Sequence, residues 1–416
     1  MTLDPVHFDG IAQLAGRIES GVDASDHRDV AGTVWEEFLD PLYYEGTPVI
    51  EPLGDQRCRL VDCEDAALME SPFPTQHGLD SGTINPTTFK NGLVIDVAQA
   101  AMAAVPSDLD LHRGRTIVST VHANDGTVDV TEDDWSLFDQ GYGRGRILQA
   151  PRVDRFEQTV VHALALYLAE STHAKLNADV VSDLLILDGP IYPTGLLKWT
   201  NQDPTLAELL VEDERPRDVV QHYVDLVERF VDRDVPLVGF VKNTASKAIT
   251  RTVRRKSAAP WVNDAAFFEQ ILRRTDDDGE TETDALTFTN WFVSRAGADC
   301  PLSVESELDL DLTKELDPRE YEVTFFVLYD PREELVYRVE APYAFTKDPD
   351  LREELTMQMV TDVAGRTGPP LAVEKADELA RISVQEKAAL QRQLEETFDS
   401  DRQRAYNDVR WDGVEF

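Results

Sequence analysis

Two short apolar runs each end in a single carboxylate, Leu93-Val94-Ile95-Asp96 and Leu184-Leu185-Ile186-Leu187-Asp188-Gly189. Asp96 is the only acid between Ser81 and Pro106 in a chain with 79 Asp and Glu among 416 residues, so general acidity does not account for it. Strand ends of α/β folds present side chains beside free backbone, where ligands bind. Two aspartates so placed, with a glutamate from the helix between them, could hold hard divalent cations against phosphate oxygens. That helix is expected to open at Pro151 and run to about Ala169. Glu157 and Glu170 are its candidates, and Glu157 is preferred because it borders the apolar stripe while Glu170 falls at the helix end. The alternative for each aspartate is a turn former, and Asp188-Gly189-Pro190 is good turn chemistry.

A second pattern is electrostatic. Lys242 to Lys256, KNTASKAITRTVRRK, holds six basic residues and no acid. A helix there would align Lys247, Arg251 and Arg255 by i, i+4 spacing, with Arg254 alongside. Lys242, just after a strand, and the amides at the helix entry would add donors for an anion. In a chain of formal net charge -39 such a counter-pattern points to a nucleic-acid backbone held without base reading. Asp264, in Trp261-Val262-Asn263-Asp264, fits a helix N-cap or a further metal ligand.

Composition sets the background. The isoelectric point is near 4.4, yet the acids are scattered among ordinary apolar runs and hydrophobic content is 42%. This reads as adaptation to a salt-rich halophilic interior, where like-charge repulsion is screened, rather than as disorder. The three cysteines cannot all pair, and Cys58 and Cys63 lack the second pair a zinc site needs. No P-loop, G-x-S-x-G elbow or apolar stretch of about 18 residues occurs, so a cytoplasmic protein without membrane association or ATP hydrolysis is expected.

The elements that must position these residues alternate β and α without an internal repeat. Two amphipathic helices over 5–40 and a small β element make an N-terminal extension over 1–90. An α/β core with a mixed β-sheet flanked by helices spans 91–350, and C-terminal helices over 351–416 close it. The last helix, around Leu390 to Phe398, with Trp411 and Phe416 beyond it, is a candidate partner surface, with packing against its own domain as the preferred alternative.

Taken in order, VIDVAQAAM around Asp96, RFEQTVVHALAL, LLILDGPIYPTGLL around Asp188, LVGFVKNTASKAI, VNDAAFFEQIL around Asp264, VYRVEAPYAF and GPPLAVEKADELARIS resemble the NurA nuclease family of archaea and bacteria. The resemblance implies an RNase H-like core. It also implies a manganese-dependent DNA nuclease, with Mg²⁺ as the alternative metal, having 5′ to 3′ exonuclease and single-strand endonuclease activity. Its partners would be DNA ends and single strands, a second copy of the chain, a hexameric HerA-type ATPase, and the double-strand-break processing nuclease and its ATPase, in end resection. Carried over by position, Asp96, Glu157, Asp188 and Asp264 form the metal-binding set. Glu170 competes with Glu157 because it shortens the spacing to Asp188. Asp80 competes with Asp96, since Gly78-Leu79-Asp80-Ser81-Gly82 permutes the Asp-Gly-Ser of the family's first motif. Asp377 stands where the family pattern has a histidine, and no histidine follows His222. The alternative function is a non-catalytic partner of a DNA translocase; a third option is a metal-dependent phosphatase for small phosphoesters.

Overall fold

The computed structural model describes residues 4–19, 24–126, 128, 130–131, 134–244, 246–256 and 259–404; Trp411 and Phe416 lie outside them. Three strands, β1 (Gln76–Thr88), β2 (Leu93–Val105) and β3 (Arg115–Ala123), form an antiparallel meander. Strand β4 (Gly143–Gln149) extends it in parallel with β3. On the other side, β5 (Leu184–Leu187) pairs in parallel with β1, and β6 (Leu237–Val241) in parallel with β5. All four residues of β5 are buried, as a continuous Leu-Leu-Ile-Leu run requires of a strand covered on both faces. The β7–β8 hairpin (Val323–Asp330 and Leu335–Pro342) adds antiparallel pairs beyond β6, and shorter strands complete a 14-stranded sheet. A meander followed by two parallel strands is the RNase H-like arrangement expected.

The helix α1 (Glu157–Asn177) lies across the meander and buries Val160, Val161, Leu164 and Leu168 against Ala98, Ala100 and Met102. Alanines on this face of β2 let the helix approach closely, and α2 (Glu214–Asp232) backs it. On the opposite face, α5 (Leu371–Ala380) crosses β1 and β2. Between them in sequence come α3 (Ala248–Arg254) and α4 (Asp264–Leu272), which pack on the β7–β8 side, and α6 (Val384–Thr397) follows α5.

Three expectations change. Leu93–Asp96 does not end a strand: β2 runs on through Ala-Gln-Ala-Ala-Met-Ala-Ala-Val, so Asp96 is its fourth residue of 13. Alanine-rich segments favour helices, but here burial between two helices holds this one extended. Pro151 does not open α1, because Phe156 adopts φ +67° and the helix begins at Glu157 and continues to Asn177. Glu170 is therefore well inside the helix. Finally, β1 lies within the expected extension over 1–90, and Thr47–Pro52 pairs with Phe292–Ser294 in the same sheet, so the core begins earlier in the chain. The two N-terminal helices, Pro5–Glu19 and Ala24–Phe38, form as expected.

Candidate active site

Where β5 ends at Leu187, β1 runs on beside β2 without it, and this step in the sheet gathers four carboxylates. The Asp188 amide donates to the Leu79 carbonyl at 2.9 Å, and the next amide, of Gly189, to Phe240 at 3.1 Å. Asp188 is thereby fixed beside Asp80, one residue on from the Leu79/Leu187 register pair. From α1, Glu170 reaches the same step: its two carboxylate oxygens accept hydrogen bonds from the Ser81 hydroxyl (2.6 Å) and the Tyr223 hydroxyl (3.0 Å). Asp377 comes from α5 on the opposite face, where it pairs with Arg381.

Two glycines set the height of α5. A Cβ on Gly78 would stand 2.1 Å from the Ala372 carbonyl oxygen, and one on Gly82 the same distance from that of Ala380. Alternation along β1 thus presents Gly78, Asp80 and Gly82 to α5 and Leu79 and Ser81 to α1.

Burial raises the Asp80 carboxyl to about 8, and the negative charges of Asp188, Glu170 and Asp377 add to this. Burial likewise raises Glu170 to about 7 despite its two hydroxyl donors. Asp188 is raised by burial too, opposed by the Lys242 ammonium, which contacts it at 2.6 Å from just beyond β6. Among the described residues, no three His, Cys, Asp or Glu side chains form a ready-made metal cage. The donor chemistry nevertheless fits a hard divalent cation: three poorly compensated carboxylates, of which Asp80 and Glu170 are partly protonated near neutrality, would exchange protons for metal charge.

Of the residues read from the sequence, Asp188 and Asp377 belong to this cluster, and so do the competing Asp80 and Glu170. Asp96 does not join it. Asp80 faces Ala101 across the β1–β2 pair, and Asp96 is five residues further along, about 17 Å at strand rise. Fully buried on the α1 face, Asp96 is bound by His162 Nδ1 at 2.6 Å. Glu157, at the first turn of α1, stands 13 residues from Glu170, about 20 Å along the helix. Asp264 is buried and accepts hydrogen bonds from Ser246 Oγ (2.7 Å), the Thr250 amide (2.9 Å) and the Ile249 amide (3.3 Å), so it caps α3 from a neighbouring helix. Its own helix is capped by Asn263.

The basic run divides as well. Lys247 and Arg251 are exposed. Arg254 donates to the Ala259 and Trp261 carbonyls at 3.1 and 2.5 Å, and Arg255 lies over the Tyr44 ring at 4.6 Å. The expected stripe is cut short because α3 has seven residues, with Lys247 and Arg255 at its caps. Sequence reasoning missed the Lys242–Asp188 pair and the Tyr223–Glu170 contact.

A family model of the NurA domain matches residues 74–382. Among solved structures, the NurA nuclease from Sulfolobus solfataricus is similar, with TM-score 0.50 at 10% identity over 95% of this chain and 98% of that one. A NurA structure bound to dAMP and manganese aligns with TM-score 0.40 and 10% identity over 76% of this chain and 86% of that one. No curated protein sequence matches the chain. No described helix is long and apolar enough to cross a membrane.

Proposed function

The chain belongs to the NurA family, and on that premise we propose that it is a metal-dependent DNA nuclease. The observation that carries this reading is the meeting of Asp80, Glu170 and Asp188 at the step beside β5, three carboxylates from two strands and a helix. Asp80, Glu170 and Asp188 would hold Mn²⁺ or Mg²⁺, which when bound supplies an activated water and charge stabilisation for phosphodiester hydrolysis. Ser81 and Tyr223 orient Glu170 through both of its oxygens. Lys247 and Arg251, exposed a few residues beyond Lys242 in the chain, offer phosphate contacts that leave base identity unread. Asp377 is a carboxylate where the family pattern has an imidazole, so it adds negative charge beside Asp80 and Asp188.

The finer assignments rest on the family resemblance: 5′ to 3′ exonuclease and single-strand endonuclease action, a second copy of the chain, a HerA-type ATPase and DNA end resection. The Asp377 replacement favours a second reading, a non-catalytic partner of a translocase. Cleavage of end-labelled single- and double-stranded DNA with Mn²⁺, Mg²⁺ or EDTA separates the two. Metal-dependent degradation lost in Asp188→Asn supports the nuclease; a folded, DNA-binding parent that cleaves nothing supports the partner.

A further inference from the structure

Lys242 stands in an unusual place for a DNA-binding lysine. Its ammonium lies 2.6 Å from Asp188 Oδ2, while Asp80 and Glu170, the neighbouring carboxylates, feel the negative charge of Asp188. Those carboxylates would otherwise share an enclosed step with only one another and Asp377. The ammonium therefore occupies the electrostatic position a divalent cation would take. It is not locked there: the Lys242 side chain is 31% exposed, it follows the last residue of β6, and its flexible stem allows the head to turn toward solvent. The next cations along the chain, Lys247 and Arg251, face solvent.

We infer that Lys242 is a resident counter-cation that couples metal binding to DNA binding. It holds Asp188 until a divalent cation binds, and is exchanged for that cation when a phosphodiester backbone draws the ammonium away. Both halves follow from one exchange. A cation arriving at Asp188 displaces Lys242 and frees it for a phosphate; a phosphate that captures Lys242 uncovers Asp188 for the cation. By linkage each ligand then raises the affinity for the other by the same factor. The device suits a chain of net charge -39, because acids scattered over the surface attract cations indiscriminately while productive loading at Asp188 awaits the strand. This inference rests on the nuclease reading of the same site and adds the order and coupling of its ligands.

The test is calorimetric titration of the full chain with Mn²⁺, with and without a phosphorothioate oligothymidylate that resists cleavage, for the parent, Lys242→Met and Asp188→Asn. Melting curves check that each variant is folded. The parent should bind Mn²⁺ about fivefold or more tightly when the oligonucleotide is present, within the usual range of coupling. Lys242→Met should bind Mn²⁺ more tightly than the parent without DNA, and the oligonucleotide should add little. Asp188→Asn should lose the site under both conditions. A folded Lys242→Met that binds Mn²⁺ no better than the parent, or retains the full gain from DNA, overturns the coupling and leaves the nuclease reading standing. A parent that binds no Mn²⁺ at Asp188 with or without DNA overturns both. Lys242→Arg, which keeps the charge, should restore part of the coupling; a folded Lys242→Arg that behaves as Lys242→Met does would show that positive charge at this place is not what couples the two ligands and overturn the exchange.

Discussion

The Asp188 amide is bonded to the Leu79 carbonyl at 2.9 Å, so the backbone itself holds Asp188 next to Asp80. Replacing the carboxylate by an amide should therefore leave the strand pairing intact while removing charge from the site. Asp188→Asn is expected to melt within a few degrees of the parent and to lose about a hundredfold or more in cleavage rate, the scale of losing preorganised charge stabilisation. Circular dichroism melting together with cleavage of labelled DNA checks this. An Asp188→Asn variant cleaving at the parental rate would remove the aspartate from the mechanism.

Gly78 and Gly82 let α5 sit on β1 with no side chain between them. A methyl group at either position meets backbone carbonyl oxygen at 2.1 Å, and neither strand nor helix can yield without shifting the other. Gly78→Ala or Gly82→Ala should cost about 1–3 kcal/mol, the range for overpacking a filled interior, measured by urea unfolding. Since Asp377 rides on the displaced helix, Gly82→Ala should also perturb the site more than a surface glycine such as Gly10 does.

Much of this architecture can be read from the chain. The Leu-Leu-Ile-Leu run before Asp188 is apolar throughout because both faces of β5 are covered, and a pattern of that kind survives any tertiary context. The Asp264–Leu272 helix and the Asp330 hairpin were equally legible, from 3.6-residue and two-residue periodicity. Asp96 was misleading for a definite reason. Its strand continues through alanines that carry no strand signature of their own, and only the two helices clamped over them make them extended. The start of α1 was displaced by the left-handed Phe156, a conformation that nothing in the residue type announces. That displacement hid Glu170, which looked terminal while lying seven residues inside the helix.

Protonation should loosen the helix that carries Glu170. His173, three residues later on α1, is buried and hydrogen-bonded through Nδ1 to the Thr116 hydroxyl of β3 at 2.9 Å. Burial lowers its pKa to about 3, with the charges of Arg115 and Arg144 adding to the effect. Between that value and its unfolded value of about 6.5 the unfolded chain binds one more proton than the folded one, so stability falls as pH falls. The expected slope from this residue is about 1.4 kcal/mol per pH unit below 6.5. Comparing the pH dependence of unfolding for the parent and His173→Gln isolates it from the titration of surface acids. An equal slope in the two proteins between pH 6.5 and 4.5 would rule out this contribution.

Arg251 and Arg254 are neighbours in sequence with opposite expected roles. Both are exposed, but Arg254 donates to the Ala259 and Trp261 carbonyls. Arg251→Ala should leave the melting temperature unchanged, weaken single-stranded DNA binding, and lower the salt dependence of log K by about 0.7, the value of one phosphate contact. Arg254→Ala should cost about 1 kcal/mol of stability through the carbonyls it leaves and change the salt slope little. Fluorescence anisotropy across a salt series gives both slopes, and equal slopes for the two variants would contradict the division.

Asp96 supplies the sharpest separation between a buried carboxylate with a structural partner and a metal ligand. It is fully buried, held by His162 at 2.6 Å, and about 17 Å along the strand from the residue facing Asp80. A carboxylate in that position stabilises the chain only while its imidazole partner remains. His162→Ala should therefore destabilise by about 2–3 kcal/mol, somewhat below the cost of breaking a fully enclosed pair because the ring reaches solvent. Asp96→Asn should be milder, since an amide can still face the imidazole. It should also bind Mn²⁺ as the parent does and cleave within about threefold of it, a difference under 1 kcal/mol in the barrier. Loss of Mn²⁺ binding in a folded Asp96→Asn would place this aspartate at the metal and require β2 to sit differently against β1 in the loaded protein.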